Sequence, residues 1–264
     1  MPTKLEEILA ATRARVAEAK STADLGELSG AALRYHPRGF RARLQQVAQT
    51  RLAIIAELKK ASPSKGLIRA DFDVQALAAE LEQAGAAALS VLTDEKYFQG
   101  SLENLELASA ATSIPCLRKD FIIDEFQLLE ARAHRADAIL LIVAALNPNE
   151  LASLYQCAKQ RELDVLCEVH DAAELDRALE AGCDIIGVNN RNLHTFQVDL
   201  NTSLQLARLI HDGVLKVAES GIESSDDVAR LRDAGFDAFL IGETLMRAPS
   251  PGDALRALLA NNAV

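Results

Sequence analysis

Two oppositely charged side chains follow a buried strand early in the chain. The apolar run at residues 52–56 has the pattern of a parallel strand that is covered on both faces. Glu57 and Lys59 come next, and the two-residue period of a strand points them to the same side. The loop at residues 62–66 then offers two hydroxyl groups, a cation and a glycine, which suit an anionic ligand. A surface pair at a fraying strand end explains this segment equally well, so the rest of the chain must decide.

Polar side chains follow the later strand-like runs as well. The main ones are Lys119, Glu168, His170, Asn189, Arg191, Glu219, Ser220 and Glu243. Lysines and glutamates that meet in one place form a set for general acid–base catalysis. A metal site would favour a cluster of His, Asp and Glu with few lysines. We therefore predict acid–base chemistry without a metal.

The elements that would position these side chains alternate regularly from residue 52 onward. Strands are predicted at 52–58, 87–92, 115–118, 138–143, 164–169, 185–188, 215–218 and 238–241. Helices are predicted at 74–84, 102–112, 125–133, 149–161, 172–181, 202–210, 225–234 and 251–261. Alternation of strand and helix implies a parallel sheet.

A loose internal repeat favours closure of that sheet into a TIM (β/α)8 barrel. Similar helix-to-strand junctions recur at Gly85, Arg135, Gly182 and Gly235, before every second strand. A period of two units over eight units fits a closed barrel better than an open doubly wound sheet. No GxGxxG motif follows the first strand, which weakens a dinucleotide-binding alternative. In such barrels the carboxyl ends of the strands meet at one mouth, where the active site lies.

The first fifty residues depart from this pattern. Residues 5–20 have helical spacing, and residues 30–50 form a second helix or a loop. Nothing there looks catalytic. We predict that residues 1–50 form an N-terminal helical extension packed on the barrel of residues 51–264, within a single domain.

Composition narrows the class of protein. The length of 264 residues suits one barrel, and the net charge of −10 argues against a nucleic-acid surface. The four cysteines form no CxxC pair and are interpreted as buried free thiols in a reducing compartment. The N-terminus does not resemble a signal peptide, and no apolar run reaches membrane-spanning length. We predict a cytoplasmic monomer or weak homo-oligomer that binds no nucleic acid and no membrane.

Glycines directly after the last two strands indicate a phosphate site. Gly221 and Gly242 lie where barrels often bind phosphate through backbone N–H groups. The alternative is that these glycines only form tight turns. Because Glu243 would repel a phosphate, we expect its side chain to point away.

Aromatic and histidine residues are weaker signals. Phe98 and Phe121 follow strands 2 and 3 and either contact an aromatic ligand or pack the loops. His170 lies on the same strand side as Glu168 and is a candidate to support it. The other histidines have no evident partner and are interpreted as surface or structural residues: His36, His134, His194 and His211.

Seven segments together resemble indole-3-glycerol-phosphate synthase. In order they are AELKKASPSKG, SVLTDEKYFQGS, PCLRKDFI, CEVHDAAEL, GVNNRNL, VAESGI and FLIGETLMR. The resemblance implies a TIM barrel with an extra N-terminal helical segment, and no cofactor or metal. It implies that the small-molecule phosphorylated substrate is 1-(2-carboxyphenylamino)-1-deoxyribulose 5-phosphate. The products would be indole-3-glycerol phosphate, carbon dioxide and water.

The resemblance also implies the roles of individual positions. The catalytic positions are Glu57, Lys59, Lys119, Glu168, Asn189, Glu219 and Ser220. The positions around the phosphate are Ser64, Gly221, Gly242 and Glu243, with Arg191 at the same mouth. Since some relatives carry a small hydroxyl residue in place of Glu243, we expect only its backbone to contribute.

The chemistry of this substrate assigns further roles. Lys119 is the natural general acid for ring closure, with Lys59 as acid and Glu168 as base of the dehydration. Exchanged roles among Glu57, Lys59 and Glu168 stay open at this stage. Residues 62–69 are predicted to be a lid over the site, with Gly66 as its hinge.

Two other enzyme activities and a non-enzymatic function are alternatives to this one. A phosphoribosylanthranilate isomerase would use a Cys/Asp pair, but Cys116 lies inside strand 3. A Schiff-base aldolase would need one central lysine with a lowered pKa. A catalytically inactive barrel that senses a phosphorylated ligand is the non-enzymatic alternative, and the intact acid–base set argues against it.

Overall fold

The computed structural model describes residues 3–193 and 195–260, which contain a closed parallel barrel of eight strands. The strands are β1 (Ala53–Leu58), β2 (Ala88–Leu92), β3 (Cys116–Lys119), β4 (Ala138–Ile142), β5 (Asp164–Val169), β6 (Ile185–Asn189), β7 (Leu215–Glu219) and β8 (Ala238–Ile241). Neighbours along the chain pair with each other, and β1 closes the barrel by pairing with both β2 and β8. The predicted TIM barrel is confirmed, with every strand end within one residue of its predicted position.

Helices surround the barrel and precede it. The extension contains α1 (Lys4–Thr22), α2 (Leu25–Arg34) and α3 (Phe40–Ala48). The later helices are α4 (Val74–Gln83), α5 (Glu95–Phe98), α6 (Leu102–Ala111), α7 (Glu125–Ala133), α8 (Pro148–Gln160), α9 (Ala172–Glu180), α10 (Asn201–Leu206), α11 (Ser225–Asp233), α12 (Glu243–Arg247) and α13 (Pro251–Ala260).

Helix α10 is the clearest difference from the predicted helices. It ends at Leu206, four residues before the predicted end, and turns follow it. Ile210 is nonetheless buried, so its apolar spacing continued the helical pattern beyond the helix. The last predicted residue of the final helix, Asn261, lies outside the described residues.

Several short elements gave no periodic signal in the sequence. They are α5, α12, a 3-10 turn at Val143–Ala145 and a hairpin that pairs residues 61–62 with 66–67. The two helices and the 3-10 turn have five residues or fewer and each hairpin strand has two, whereas a hydrophobic period needs a longer window to show. All except the 3-10 turn contribute residues to the mouth of the barrel or lie directly beside it.

Side-chain caps fix where several βα loops end. Six of the longer helices that follow a barrel strand begin at a residue whose side chain accepts hydrogen bonds from backbone N–H groups of the first turn: Asp73, Ser101, Asp124, Asn147, Asp171 and Ser224. Such caps satisfy donors that the helix itself leaves unpaired. The caps anchor these loops, and the loops after β3, β4, β5 and β7 have at most four residues before the cap, which holds this part of the mouth in place.

The buried side chains form two layers. One lies between strands and helices and includes Ile54 and Ala56, whereas the other fills the barrel and includes Ala53 and Ile55. Alternate residues of each strand thus face opposite sides.

The extension contributes to the inner layer. Phe40 and Leu44 of α3 are fully buried and pack with Ala53 and Leu215, the first residues of β1 and β7. Helix α3 therefore closes the barrel at the ends where its strands begin. The first helix, α1, reaches the opposite end, since Leu5 and Ile8 line the mouth. The division of the domain at residue 50 stays a prediction.

None of the helices in the described part of the chain is long and apolar enough to cross a membrane.

Candidate active site

A cavity of about 830 Å³ opens at the carboxyl ends of the strands. This volume is in the usual range for a small-molecule site. Predicted site residues that line it are Glu57, Lys59, Ser64, Phe98, Lys119, Phe121, Glu168, Asn189, Arg191, Ser220, Gly221, Gly242 and Glu243. Glu219, the remaining one, lies beneath the cavity with only 1% of its surface exposed.

Strand alternation explains why the charged residues face inward. Ile55 faces the barrel interior, so Glu57, two residues later, faces it too. The same step leads from Leu117 to Lys119 and from Leu166 to Glu168. Apolar side chains fill the barrel until the last inward position, and the ionisable groups then meet at its end.

Lys119 lies at the centre of three buried carboxylates. Its Nζ is 2.5 Å from Oε2 of Glu219, 3.7 Å from Oε2 of Glu168 and 3.8 Å from Oε2 of Glu57. Burial alone would lower the pKa of Lys119, but these three negative charges outweigh it and raise the pKa. The ammonium form therefore persists at neutral pH.

Glu219 has the opposite balance. Burial raises its pKa to about 7, and the charges of Glu168 and Glu57 act in the same direction, against the attraction of Lys119. Its Oε1 has no hydrogen-bond partner, while its Oε2 accepts from Lys119. Burial thus works against the ionised form of Glu219, and the adjacent ammonium of Lys119 favours it.

Glu57 and Lys59 form a close pair at the end of β1. Lys59 Nζ lies 2.7 Å from Oε1 of Glu57. Although burial raises the pKa of Glu57, the charges of Lys59 and Lys119 outweigh it and the net shift is downward. The pair observed in the structure is inside the cavity, in contrast to the surface pair that the segment alone also allowed.

Glu168 is held by a second cation besides Lys119. His170 Nε2 lies 3.4 Å from Oε1 of Glu168, and His170 Nδ1 lies 3.0 Å from Oε2 of Glu174. Burial would raise the pKa of Glu168, but the neighbouring His170 and the charge of Lys119 lower it to about 2. At 3.4 Å the contact from His170 Nε2 is an ion pair without a hydrogen bond. The carboxylate form is therefore available at neutral pH.

A glycine makes room for one of these carboxylates. A Cβ atom at Gly242 would lie 2.5 Å from Oε1 of Glu57 and 2.9 Å from its Cβ. Any side chain at this position would push Glu57 from its place beside Lys59. Gly242 is therefore explained by close packing as well as by the phosphate site that the sequence predicts.

Cations gather at the side of the mouth where phosphate binding is predicted. Glu243 accepts a hydrogen bond of 3.0 Å from Arg247 and lies 3.8 Å from both Lys65 and Arg191. Its side chain lines the cavity with these cations, so the expectation that it points away is wrong. The reason is electrostatic, since three positive groups attract the carboxylate.

The loop that follows β7 has an unusual backbone. Ser220 and Gly221 both have positive φ angles, of 65° and 75°. Such a conformation is common for glycine and costly for serine, and it often marks functional sites. Asn190 holds this turn because its side-chain amide donates to the carbonyl oxygens of Glu219 and Ser220.

Aromatic and apolar groups form another part of the wall. The rings of Phe98 and Phe121 lie 6.3 Å apart, in a tilted arrangement typical of aromatic pairs. Leu5 and Ile8 of the extension line the same cavity. Sequence reasoning missed these two, although they belong to the apolar face of a recognised amphipathic helix.

One of the histidines that were expected to lack a partner has one. His134 does have a partner, since its Nδ1 lies 2.8 Å from Glu106 Oε1. His36 and His211 are exposed, and His194 lies outside the described residues. Within residues 3–193 and 195–260, no three His, Cys, Asp or Glu side chains form a group that could hold a metal ion. The expectation of no metal and no cofactor stays a prediction.

The chain is similar to known proteins over almost its whole length. The family model of indole-3-glycerol phosphate synthase matches residues 5–258. The indole-3-glycerol phosphate synthase of Koribacter versatilis (strain Ellin345) is 61% identical over 259 residues, covering 98% of this chain and 100% of that protein. That of Laribacter hongkongensis (strain HLHK9) is 48% identical over 266 residues, covering 98% and 97%.

A solved structure of another protein has a similar fold. A thiamine phosphate pyrophosphorylase from Pyrococcus furiosus has a TM-score of 0.61 at 17% identity, covering 83% of this chain and 96% of that chain. At this identity the likeness concerns the fold alone. The match to the family model and the sequence identities of 48% and 61% show the family as well as the fold. The chain therefore belongs to the indole-3-glycerol phosphate synthase family, whose members are decarboxylating carboxy-lyases.

Proposed function

We propose that the mouth of the barrel catalyses this family's reaction with Lys119, Lys59 and Glu168 as its acid–base groups. The reaction converts 1-(2-carboxyphenylamino)-1-deoxyribulose 5-phosphate into indole-3-glycerol phosphate, carbon dioxide and water. One observation carries the residue assignments. Lys119 lines the cavity and lies within 4 Å of three buried carboxylates.

Lys119 is the general acid of ring closure. The aromatic carbon that bears the carboxylate attacks the ketone, and the ketone oxygen takes a proton as the new bond forms. The surrounding glutamates keep Lys119 in the charged form that a proton donor requires. The same ammonium attracts the carboxylate of the benzoate. When carbon dioxide leaves, the electrons of the broken bond return to the ring.

Dehydration follows with a separate acid and base. Lys59 protonates the departing hydroxyl group, and Glu168 removes the ring proton. Glu57, 2.7 Å from Lys59, orients the ammonium and balances its charge. Replacing Lys59 by Met or Glu168 by Gln is therefore expected to block dehydration and to leave release of carbon dioxide in a single turnover.

The two ends of the substrate are bound at different sides of the mouth. The phosphate lies between Gly221 and Gly242, beside Arg191 and Lys65, which line the cavity there. The benzoate ring lies near Phe98 and Phe121. Three further side chains are proposed to hold the hydroxyl groups or the phosphate of the substrate: Ser64, Asn189 and Ser220.

A Schiff-base aldolase is disfavoured by the electrostatics of the site. Its lysine must be neutral to attack a carbonyl group, which requires a lowered pKa. The pKa of Lys119 is raised by three carboxylates. Borohydride in the presence of substrate is therefore expected to trap no covalent adduct at this residue.

We further propose that the enzyme acts in the cytoplasm as a monomer or weak homo-oligomer. The four cysteines are free and buried, which suits a reducing compartment. Sedimentation over a range of protein concentrations tests the assembly state.

A direct assay tests the activity. The purified chain is mixed with the carboxyphenylamino substrate, and indole absorbance and released carbon dioxide are followed together. We expect equal amounts of both products, with no added metal or cofactor. A folded protein that forms neither product would contradict the proposal, and product formed only after metal addition would contradict its cofactor-free form.

A further inference from the structure

A histidine and a second glutamate lie behind Glu168. Neither His170 nor Glu174 is among the residues that line the cavity, and the proposed acid–base steps use neither. The His170 ring bridges the two glutamates, with its Nε2 3.4 Å from Glu168 and its Nδ1 3.0 Å from Glu174. All three groups are largely buried, with at most 14% of any of these side chains exposed.

Local structure fixes this arrangement. Asp171 caps helix α9, and its carboxylate accepts a hydrogen bond of 2.9 Å from the backbone of Glu174. Glu174 in turn accepts a 2.8 Å hydrogen bond from the backbone N–H of His170. The segment from His170 to Glu174 is therefore a closed turn that can present the imidazole ring in only a narrow range of orientations.

Glu168 faces charges from several strands. Lys119 approaches it from β3, and the carboxylates of Glu57 and Glu219 share that same lysine from β1 and β7. Asn189 on β6 is an uncharged polar neighbour that also favours the ionised form of Glu168. His170 differs from Lys119 because it does not line the cavity itself, and its ion-pair contacts are with Glu168 and Glu174.

This difference matters when the substrate binds. If Lys119 turns toward the benzoate carboxylate, its ammonium moves away from Glu168. The charge of Lys119 then stabilises the ionised form of Glu168 less. Burial and the two nearby carboxylates would then favour its protonated form. A protonated Glu168 cannot act as a base.

We propose that His170, anchored by Glu174, is a positioning residue that keeps Glu168 ionised and fixes the direction of its carboxylate while Lys119 serves the substrate. The proposal rests on the role of Glu168 in the proposed function. The pKa of His170 agrees with it. Burial would lower that pKa, but both glutamates raise it to about 10, so the ring is positively charged at neutral pH.

Two variants test this role. His170→Asn keeps a hydrogen-bonding group and removes the charge, and Glu174→Gln removes the anchor. Without the cation the pKa of Glu168 rises, so the acid limb of the kcat profile is expected to move to higher pH. We expect a shift of about one pH unit or more for His170→Asn and a smaller one for Glu174→Gln. KM on the plateau is expected to stay within about twofold of wild type.

A matched control exists elsewhere on the barrel. His134 and Glu106 form another histidine–glutamate contact, with 2.8 Å between Nδ1 and Oε1. Neither residue lines the cavity. His134→Asn is therefore expected to leave the pH profile of kcat unchanged.

The outcomes separate the inference from the proposed function. The inference would be overturned if His170→Asn and Glu174→Gln fold and the acid limb of their kcat profiles does not move. In that case an inactive Glu168→Gln protein would still uphold the role of Glu168 in the proposed function. Near-normal kcat in Glu168→Gln would remove Glu168 from the mechanism and the inference with it. If His170→Asn does not fold, the result for Glu174→Gln decides.

Discussion

Arg15 of the N-terminal extension donates two hydrogen bonds, of 2.8 and 3.1 Å, to the buried carboxylate of Asp120. Asp120 directly follows Lys119 in the chain. Its carboxylate also accepts hydrogen bonds from Thr93 and from Arg118, a fully buried residue of β3. Helix α1 is thus bonded to the residue that directly follows the proposed general acid at the end of β3.

Replacing Arg15 by Met is expected to weaken substrate binding more than turnover. Asp120 keeps Arg118 and Thr93, so Lys119 stays in place, but α1 loses its buried attachment to the mouth. We expect KM to rise about three- to tenfold, kcat to change less, and the free energy of unfolding to fall by about 1–3 kcal/mol. Steady-state kinetics and a denaturation curve measure these effects.

Lys20 provides a matched control for Arg15. It also links α1 to the barrel, through a 2.9 Å ion pair with Asp124, but both side chains are partly exposed. Exposed pairs contribute little, so Lys20→Met is expected to behave like wild type. Equal effects of the two replacements would contradict a specific role for Arg15.

Two truncations of the extension distinguish the role of α1 from that of α3. Removing residues 1–23 deletes α1 and is expected to leave a folded barrel with weakened substrate binding. Removing residues 1–45 also deletes Phe40 and Leu44, which are fully buried in the barrel. Each loss costs about 2–5 kcal/mol, so the longer truncation is expected not to fold. Circular dichroism and KM for both proteins check this, and full activity after the longer truncation would contradict it.

The inward-facing residues of the site could be predicted from the sequence. Strand alternation places Glu57, Lys119 and Glu168 on the inner face, and barrel closure brings them together. Both rules depend on patterns that repeat along the chain. The same patterns predicted the strand ends within one residue.

Contacts between distant elements could not be predicted in this way. Leu5 and Ile8 show an apolar face, but no local pattern says that this face borders the mouth. The position of Glu243 depends on cations from three separate segments. Glu174 did leave a signal, because it lies four residues after His170 at the start of a capped helix.

Replacing Glu243 by Gln is expected to strengthen inhibition by inorganic phosphate. The Glu243 carboxylate forms ion pairs with Arg247, Arg191 and Lys65, so a bound phosphate must compete with it for these cations. Burial would raise the pKa of Glu243, but its hydrogen bond with Arg247 and the charge of Lys65 lower it, so the group is ionised at neutral pH. We expect competitive inhibition in wild type and an inhibition constant about two- to tenfold lower in the variant.

Two results would contradict this assignment of the phosphate site. One is noncompetitive inhibition by phosphate. The other is an unchanged inhibition constant in Glu243→Gln. As a control, Glu106→Gln removes a carboxylate that does not line the cavity and is expected to leave phosphate inhibition unaltered.

Replacing Lys119 by Met is expected to abolish efficient ring closure. Met keeps most of the side-chain volume and removes both the charge and the proton. We expect kcat to fall by about 10²-fold or more, the usual scale for a positioned acid, while KM changes less because the phosphate is bound elsewhere. Kinetics beside a melting curve distinguish lost catalysis from lost folding. A kcat within a few-fold of wild type would leave Lys59 as the acid of both steps.

The pH dependence of stability gives a test of His170 that is independent of catalysis. Its pKa is raised in the folded protein from the ordinary 6.5 to about 10, so the folded state holds its proton more tightly than the unfolded state. The resulting stabilisation is fully present below pH 6.5 and is lost as the pH rises toward 10. The difference in Tm between wild type and His170→Asn is therefore expected to be largest near pH 5.5 and to shrink steadily up to pH 9.5. His211→Asn, which alters an exposed histidine, is expected to show no such trend. A Tm difference that stays constant across this range would mean that the His170 charge does not stabilise the fold.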